Sequence, residues 1–452
     1  MPRPLAAEDR RGSTNLSEIW SRDGTLVDSS SDFELEDGRF LKGNVKSLLR
    51  KIDLNLMPII SVLYLLSCLD RSNLGNASEN GLTKDLHMTG KNDFNSFPGL
   101  LVTRSFLGLV QGGVFPGIVY FISMWYQSHE CGLRIAMFYS VAVAGTSFNG
   151  LIGNGILNLQ GVAGLDGWQW LFIIEGAITF IIALVAFKLM QDYPKTATFL
   201  TKSERRVVLQ RLDEEQSSMP KEFRMKYIKD ALLDWKIWVH MVITLGVSVP
   251  QSSISQFLPG IIEDLGYKGA HAKLMGIPPH IAAAVFVIGG GFAADRHEQR
   301  GIYIIGFCIV GMIGFLLLAA VEDLVIEYMS TFLIAIGTYP IVPQDLAWNA
   351  NNIGGTTKRA VGIAMHIGFG NLGGAIAGFI IRENDARRFV SGHGVLLGMM
   401  GMSCVLTIVM TWYCRRENQA RASRQYPRLS TIQERLRERE RGDRASFFVL
   451  TT

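Results

Sequence analysis

The chain has 452 residues, of which 48% are hydrophobic and 19% charged, and its formal net charge is +4. Its five cysteines lack the spacing of a zinc site or a disulfide framework. The positive charges are concentrated in polar segments between apolar ones, which is typical of cytosolic loops and not of a nucleic-acid-binding surface. We therefore expect a protein of the lipid bilayer that binds no nucleic acid, metal or cofactor.

Ten apolar segments follow one another between two polar termini. Each has about 17 to 25 residues, the length that a helix needs to cross a hydrocarbon core of about 30 Å. They lie at residues 54–70, 98–124, 134–157, 168–190, 236–258, 273–294, 302–320, 328–348, 360–381 and 392–413. The sequence thus predicts an all-α integral membrane protein with about ten spans.

Lys and Arg residues indicate which loops face the cytosol. They are frequent in the segment 191–235, whereas the connections 158–167 and 321–327 contain none. Because cytosolic loops carry the excess of basic residues, both termini and the 191–235 segment are predicted to be cytosolic. The predicted domains are a disordered N-terminal tail at 1–53, a four-span bundle at 54–190, a central cytosolic loop at 191–235, a six-span bundle at 236–413 and a basic cytosolic tail at 414–452. We expect the basic tail to be solvated and partly helical.

Several ionisable residues lie inside spans or at their ends, where they are costly and usually bind or move a charged species. Asp70, Arg71 and Asn73 end the first apolar run, and Arg104 and Glu175 lie within later spans. Arg104 could bind a carboxylate, snorkel outward, or pair with Asp70 or Glu175. Asp70 is either a protonatable group or a helix-end acid in interfacial water. Glu175 is either a proton site or the packing partner of Arg104.

Three further polar residues interrupt apolar segments. Gln111 follows Arg104 by seven residues and so lies on the same helix face, but an amide cannot carry a proton. Asn371 lies in mid-span among glycines that let helices approach closely, which makes it a candidate ligand. Asp345 is either another intramembrane acid or a cytosolic helix end.

Four segments carry a family resemblance that covers roughly residues 48–418. They are RKIDLNLMPIISVLYLLSCLDRSNLGNA at 50–77, RSFLGLVQGGVFPGIVYFISMWY at 104–126, GWQWLFIIEG at 167–176 and YPIVPQDLAWNANNIGGTTKRAVGIAMHIGFGNLGG at 339–374. In combination and order they resemble the major facilitator superfamily and, within it, the fungal anion:cation symporters of the allantoate permease type. The resemblance implies two helix bundles around a central site.

The family normally has twelve spans, so the resemblance implies that the second span and most of the third are absent between Asn95 and Pro98. The first copy of a gating motif would be lost with them. The second copy is present as Gly291, Asp295, Arg296 and Arg300. Asn352, Lys358 and Arg359 resemble the family's NN and TKRA elements, for which we expect an anchoring role.

The resemblance also implies a function. We expect a secondary active transporter, not an enzyme, that moves a small organic anion together with protons. Arg104, Gln111 and Asn371 are the predicted substrate ligands. The family often has a glutamate in place of Gln111, so proton coupling is assigned to Asp70 and Glu175, while Arg71 and Asn73 are assigned to gating or structure. We expect a monomer in the plasma membrane; the alternatives are a non-transporting truncated product or a membrane sensor on the same fold.

Overall fold

All regular elements in the described part of the chain are helices. The computed structural model describes residues 38–77, 82, 97–156, 159–216, 223–380, 390–423, 441–445 and 448–452. The α-helices are α1 (Gly38–Ala77), α2 (Phe97–Gln111), α3 (Val114–Trp125), α4 (Ser128–Ser147), α5 (Asn149–Ile156), α6 (Gly167–Leu189), α7 (Lys202–Gln216), α8 (Met225–Leu232), α9 (Trp235–Asp264), α10 (Ala270–Met275), α11 (Ile277–His297), α12 (Gly301–Ala320), α13 (Leu324–Thr338), α14 (Ile341–Asn351), α15 (Thr356–Ile380) and α16 (Val390–Ser423). By their contacts, the described residues fall into two units, which divide between Lys51 and Ile52.

The number of long apolar helices agrees with the predicted number of spans. Among the described residues, nine helices are long and apolar enough to cross a membrane, and α4 with α5, bent by 42°, makes a tenth. Two helices extend well beyond the predicted spans 54–70 and 392–413: α1 begins at Gly38 and α16 ends at Ser423. Helical hydrogen bonds continue through polar residues, which a hydropathy pattern does not register.

Local signals in the sequence explain where several helices begin. Asp166 and Gln169 form a capping box at the start of α6, with the Asp166 amide donating to Gln169 Oε1 at 2.9 Å. Asp323 accepts from the Val325 amide at 2.9 Å at the start of α13, and Asp234 caps α9 in the same way. These carboxylates satisfy amides that have no partner within the helix.

The helices differ greatly in how far they are enclosed. Within its most apolar stretch, α9 is 61% buried, whereas α6 is only 11% buried. In the described structure α9 packs against α15 and α16, and α4 packs against α11 and α14. The backbones of α12 and α13 approach closely at Gly311 and Gly337, where a Cβ on either glycine would meet the other's backbone.

Candidate functional site

The described residues form a central cavity of about 300 Å³ between two groups of helices. We call residues 52–189 the first group and residues 235–423 the second group. Helices α1, α3 and α4 line the cavity from the first group, and α9, α14 and α15 line it from the second. Because both groups contribute to the walls, a movement of one group against the other changes the shape of the cavity.

The polar side chains of the cavity can bind an anion. Of the described residues that line it, Arg71 alone carries a full charge, and Asn371 contributes an amide from the second group. Gln251 Nε2 donates to the Tyr139 hydroxyl at 3.0 Å and thereby connects α9 with α4. A guanidinium group that lines a cavity together with amide and hydroxyl groups suits a small anion with further hydrogen-bonding atoms.

Aromatic rings form the apolar wall of the first group. The Tyr64 ring lies 4.9 Å from that of Phe115 and 6.4 Å from that of Tyr139, between ring centroids. The rings of Phe115 and Tyr139 stack at 6.2 Å. Large, rigid side chains of this kind shape a pocket at little cost in conformational entropy.

Four predicted site residues meet in the first group but are not among the residues that line the cavity. Gln111 Nε2 donates to the Asp70 carboxylate, and the Arg104 guanidinium lies 3.5 Å from the main-chain oxygen of Asp70. The Arg104 guanidinium carbon also lies 5.0 Å from the centroid of the Phe172 ring. The Glu175 carboxyl interacts electrostatically with Asp70, and its Oε1 is buried without a hydrogen-bond partner among the described residues. The predicted proton-coupling residues thus lie near Arg104 and Gln111.

The predicted gating motif connects the two groups at the end of α4 that lies away from the cavity. Arg300 pairs with Asp295 at 2.5 Å, and Asp295 Oδ2 accepts from the Leu133 amide at 2.6 Å. A Cβ at Gly132 would collide with the Arg300 guanidinium, so the close approach requires glycine. Arg296 is exposed beside this contact. We call the contact of Asp295 and Arg300 with α4 the latch.

The other predicted structural residues contact neighbouring backbone or side chains. Asn73 is buried and accepts from Asn149 Nδ2 at 3.2 Å. Asn352 exchanges two hydrogen bonds with the backbone of Thr451, at 2.7 and 3.1 Å. Arg359 Nε donates at 3.2 Å to a main-chain oxygen of the connection before α15. The anchoring role of Asn352 and Arg359 stays a prediction.

Lys358 belongs to a buried charge network that sequence reasoning did not identify. Its Nζ donates to Asp234 Oδ2 and Asp443 Oδ1, both at 2.6 Å. Lys236 Nζ also donates to Asp443, whose side chain is only 1% exposed. Burial by itself raises the pKa of Asp443, but the two lysines outweigh burial and hold this pKa below its usual value. Two positive and two negative charges therefore balance in this network.

The end of the chain is buried against the second group, unlike the solvated tail expected from its arginine-rich sequence. We call residues 441–445 and 448–452 the C-terminal segment. Arg421 donates to main-chain oxygens of Asp443, Ala445 and Phe448 at 3.1, 3.3 and 2.6 Å. Trp348 Nε1 donates to the Thr451 oxygen at 2.8 Å. Local composition favoured solvation, but partners distant in the sequence supply the contacts.

A second unpredicted set of polar residues is buried in the second group. His240 Nδ1 lies 2.6 Å from Asp345 Oδ1, and Thr244 Oγ1 lies 2.8 Å from Asp345 Oδ2 and 2.5 Å from His366 Nε2. Asn349 Nδ2 lies 3.0 Å from His366 Nδ1. Asp345 is fully buried, so it is not a helix end in cytosolic water. The signal in the sequence is two histidines and one aspartate inside three apolar spans of the same group.

In the described part of the chain, nine apolar helices, or ten with the bent pair, and a cavity between two groups of them define a polytopic membrane protein of the transporter type. Residues 86–378 match the Major Facilitator Superfamily, and the chain belongs to this family. It is 30% identical over 423 residues to the MFS transporter prlL of a fungal species (strain NRRL 50135), with 81% of this chain and 86% of the relative covered. It is 28% identical over 442 residues to the major facilitator-type transporter hxnP of Emericella nidulans, with 85% and 88% covered.

A solved structure supports the same fold. The proton:xylose symporter XylE has a TM-score of 0.54 at 14% sequence identity, with 82% of each chain covered. The predicted all-α, two-bundle class of fold is therefore confirmed, and the chain is a multi-pass integral membrane protein. Secondary transport and not enzymatic catalysis is the activity that this family and fold support.

Proposed function

We propose that this protein is a proton-coupled transporter of a small organic anion, of carboxylate or vitamin-like chemistry, and belongs to the allantoate permease-like branch of its family. The observation that carries the proposal is the position of Arg71 as the charged group of the central cavity, facing Asn371 across the two groups of helices. A fixed guanidinium favours carboxylates over neutral or cationic solutes.

The contacts of Arg104 and Gln111 alter how the predicted ligands are used. Both side chains contact Asp70, so in this proposal they form the surroundings of a proton-carrying carboxylate and Arg71 takes over binding of the anion. Asp70 and Glu175 remain the proposed coupling residues. The latch closes the side that the predicted topology assigns to the cytosol, and its opening would release the substrate there.

The proposal includes the loss of two spans. The alignment with prlL extends over 423 positions, but only 81% of this chain, which has 452 residues, takes part in it. The alignment is therefore longer than the part of this chain that it contains. That relative therefore has residues within the aligned range that this chain lacks. This supports the absence of the second and most of the third span, and it keeps a non-transporting product or a membrane sensor as the alternative. A monomer in the plasma membrane, with the predicted domain boundaries, completes the proposal.

Uptake measurements on cells that express the full chain test the proposal. We expect uptake of labelled small carboxylates, but not of the corresponding amides, with greater accumulation at acidic external pH. Arg71→Ala should lower the apparent affinity about tenfold or more, because it removes charge-assisted hydrogen bonds. Arg71→Lys should rescue poorly, because an ammonium group lacks the planar fork.

The control is Arg206→Ala, which removes an exposed arginine of α7. Surface expression of each variant is measured in parallel. Equal uptake of carboxylates and amides would remove the anion assignment. Uptake no greater than that of cells without the protein, at normal surface expression, would favour the non-transporting alternatives.

A further inference from the structure

The second group contains a buried carboxylate whose described partners include no lysine or arginine. Asp345 and His240 are fully buried, and His366 is 1% exposed. The titratable partners of Asp345 are the imidazoles of His240 at 2.6 Å and His366 at 3.3 Å. A buried carboxylate needs a compensating positive charge. Here an imidazole can supply that charge only by binding a proton.

The hydrogen bonds indicate where the cluster already holds protons. The Thr244 hydroxyl donates to Asp345 Oδ2 at 2.8 Å, so it accepts from His366 Nε2 at 2.5 Å. Asn349 Nδ2 donates to His366 Nδ1 at 3.0 Å, which leaves His366 neutral. His240 Nδ1 donates to Asp345 Oδ1. With this set of hydrogens the cluster has a net charge of minus one, from the Asp345 carboxylate.

One nitrogen of the cluster has a free lone pair. His240 Nε2 is buried and has no hydrogen-bond partner among the described residues. A proton that binds there makes the ring an imidazolium, cancels the Asp345 charge and keeps every other hydrogen bond unchanged. The ring of Trp348 meets that of His240 edge to face at 4.9 Å, so aromatic packing holds the imidazole in place.

The cluster lies one helical turn from the central cavity on three helices. Residues that face the cavity are separated from residues of the cluster by three or four positions, which places them on the same helix face. The pairs are Thr244 with Ser248 on α9, Asp345 with Val342 on α14, and His366 with Gly370 on α15. The Thr244 methyl also lies beside Gly370, where a Cβ would meet it. A change in the charge of the cluster therefore acts on helices that form the cavity wall.

Titratable groups around the cluster come from every helix that faces it. His240, Asp345 and His366 come from α9, α14 and α15. The thiol of Cys308 on α12 interacts electrostatically with Asp345, and it forms a hydrogen bond with the thiol of Cys404 on α16. Two helices of the cluster also carry lysines, Lys236 on α9 and Lys358 on α15, which pair with Asp234 and Asp443 in the charge network described above. That network is neutral as a whole, so it does not replace the missing countercharge.

We propose that His240, Asp345 and His366 form a proton-binding site beneath the central cavity, which takes up one proton from water at Nε2 of His240. The net charge of the site changes from minus one to zero on binding. The site is separate from Asp70 and Glu175. Its use in transport rests on the proposed function, whereas proton binding does not and can be measured without a substrate.

The test is the pH dependence of deuterium exchange at the imidazole C2 position, measured by mass spectrometry on the full chain in lipid nanodiscs. The exchange rate of each histidine follows its protonation, so a histidine that binds a proton gives a sigmoidal profile. We expect His240 to give such a profile and His366 to give a flat one. In Asp345→Asn the midpoint of the His240 profile should move to lower pH by at least about one pH unit, which corresponds to a tenfold weaker proton affinity.

His280→Gln is the matched control, because His280 contacts the Gly276 carbonyl of its own helix end and lies outside the cluster. The His240 profile should be unchanged in this variant. A flat His240 profile in the wild-type chain overturns the proposal, and this measurement does not depend on any variant being folded. A His240 midpoint that stays the same in folded Asp345→Asn also overturns it. Failure of anion uptake with a titrating His240 would refute the proposed transport and leave the proton site in place.

Discussion

Replacing Asp443 should destabilise the second group of helices more than any change of an exposed acid. Asp443→Asn keeps the shape of the side chain but leaves Lys236 and Lys358 with Asp234 as their described counter-ion. Removing one partner of a buried ion pair typically costs about 3–5 kcal/mol. For a domain of about 150–250 residues each kcal/mol lowers Tm by about 2–4 °C, so we expect Tm to fall by about 6 °C or more.

A thiol-reactive fluorophore can follow this unfolding, since Cys131, Cys308, Cys404 and Cys414 are all buried and react once the helices separate. The matched control is Glu263→Gln, which removes the same charge from an exposed position on α9 and should change Tm little. Equal Tm values for Asp443→Asn and the wild-type protein would refute the stabilising role of the network.

The effect of Asp443 should also depend on pH in a defined direction. The two lysines hold the pKa of Asp443 below its usual value in the folded protein, whereas the unfolded chain has a value of about 3.9. The stabilisation is therefore complete above about pH 4 and is lost as the pH falls through the folded pKa. The difference in Tm between wild type and Asp443→Asn should be constant from about pH 5 to about pH 7 and shrink below about pH 4. A difference that grows on acidification would contradict this assignment.

Four other predictions follow from the fold and the proposed function. Gly132→Val should weaken the latch, so a permeant thiol reagent should modify the adjacent Cys131 about tenfold faster. Gly289→Ala is the control, because a Cβ at Gly289 meets open space, and it should leave the rate of modification unchanged. Equal rates for the two variants would exclude strain at the latch. Asp70→Asn should still exchange substrate but lose accumulation driven by pH, and full accumulation would remove Asp70 from coupling. Tags at the N-terminus or within residues 191–235 should be accessible only in permeabilised cells; labelling of intact cells would reverse the topology. Inserting two spans between residues 95 and 96 should raise thermal stability, because polar faces such as that of Arg104 would gain partners, and an unchanged Tm would argue against a missing pair.

The spans could be predicted because the properties that determine them are local. A helix must be about 30 Å long to cross the hydrocarbon core, and an apolar run meets this requirement regardless of its position in the chain. The gating motif is also local in the sequence, and it contains Asp295 and Arg300, which form the latch. Asp345 was ambiguous because it lies three residues before the end of the predicted span 328–348, where an interfacial acid can also lie. Its partner His240 is 105 residues away in the sequence, so a local pattern could not distinguish the two interpretations.

The cavity and the C-terminal segment depend on the same kind of distant contact. Arg71 was assigned to gating, and only the arrangement of six helices around the cavity shows that it lines the wall. The arginines of the tail favour solvation, but Asp443 is separated by 207 residues from Lys236 and by 85 from Lys358. No pattern within a window of the sequence contains these pairs. The sequence therefore predicts the elements of this protein better than the groups that meet between them.

The contact of Asp443 with its two lysines is completed late in biosynthesis. Lys236 and Lys358 leave the ribosome 207 and 85 residues before Asp443, and until then Asp234 is the only counter-ion of the network that has been translated. A ribosome that stops after the tenth span and before residue 443 releases a chain with all its spans in the bilayer and with one excess positive charge in this network. Insertion into the membrane and completion of the folded second group are thus separate events during synthesis.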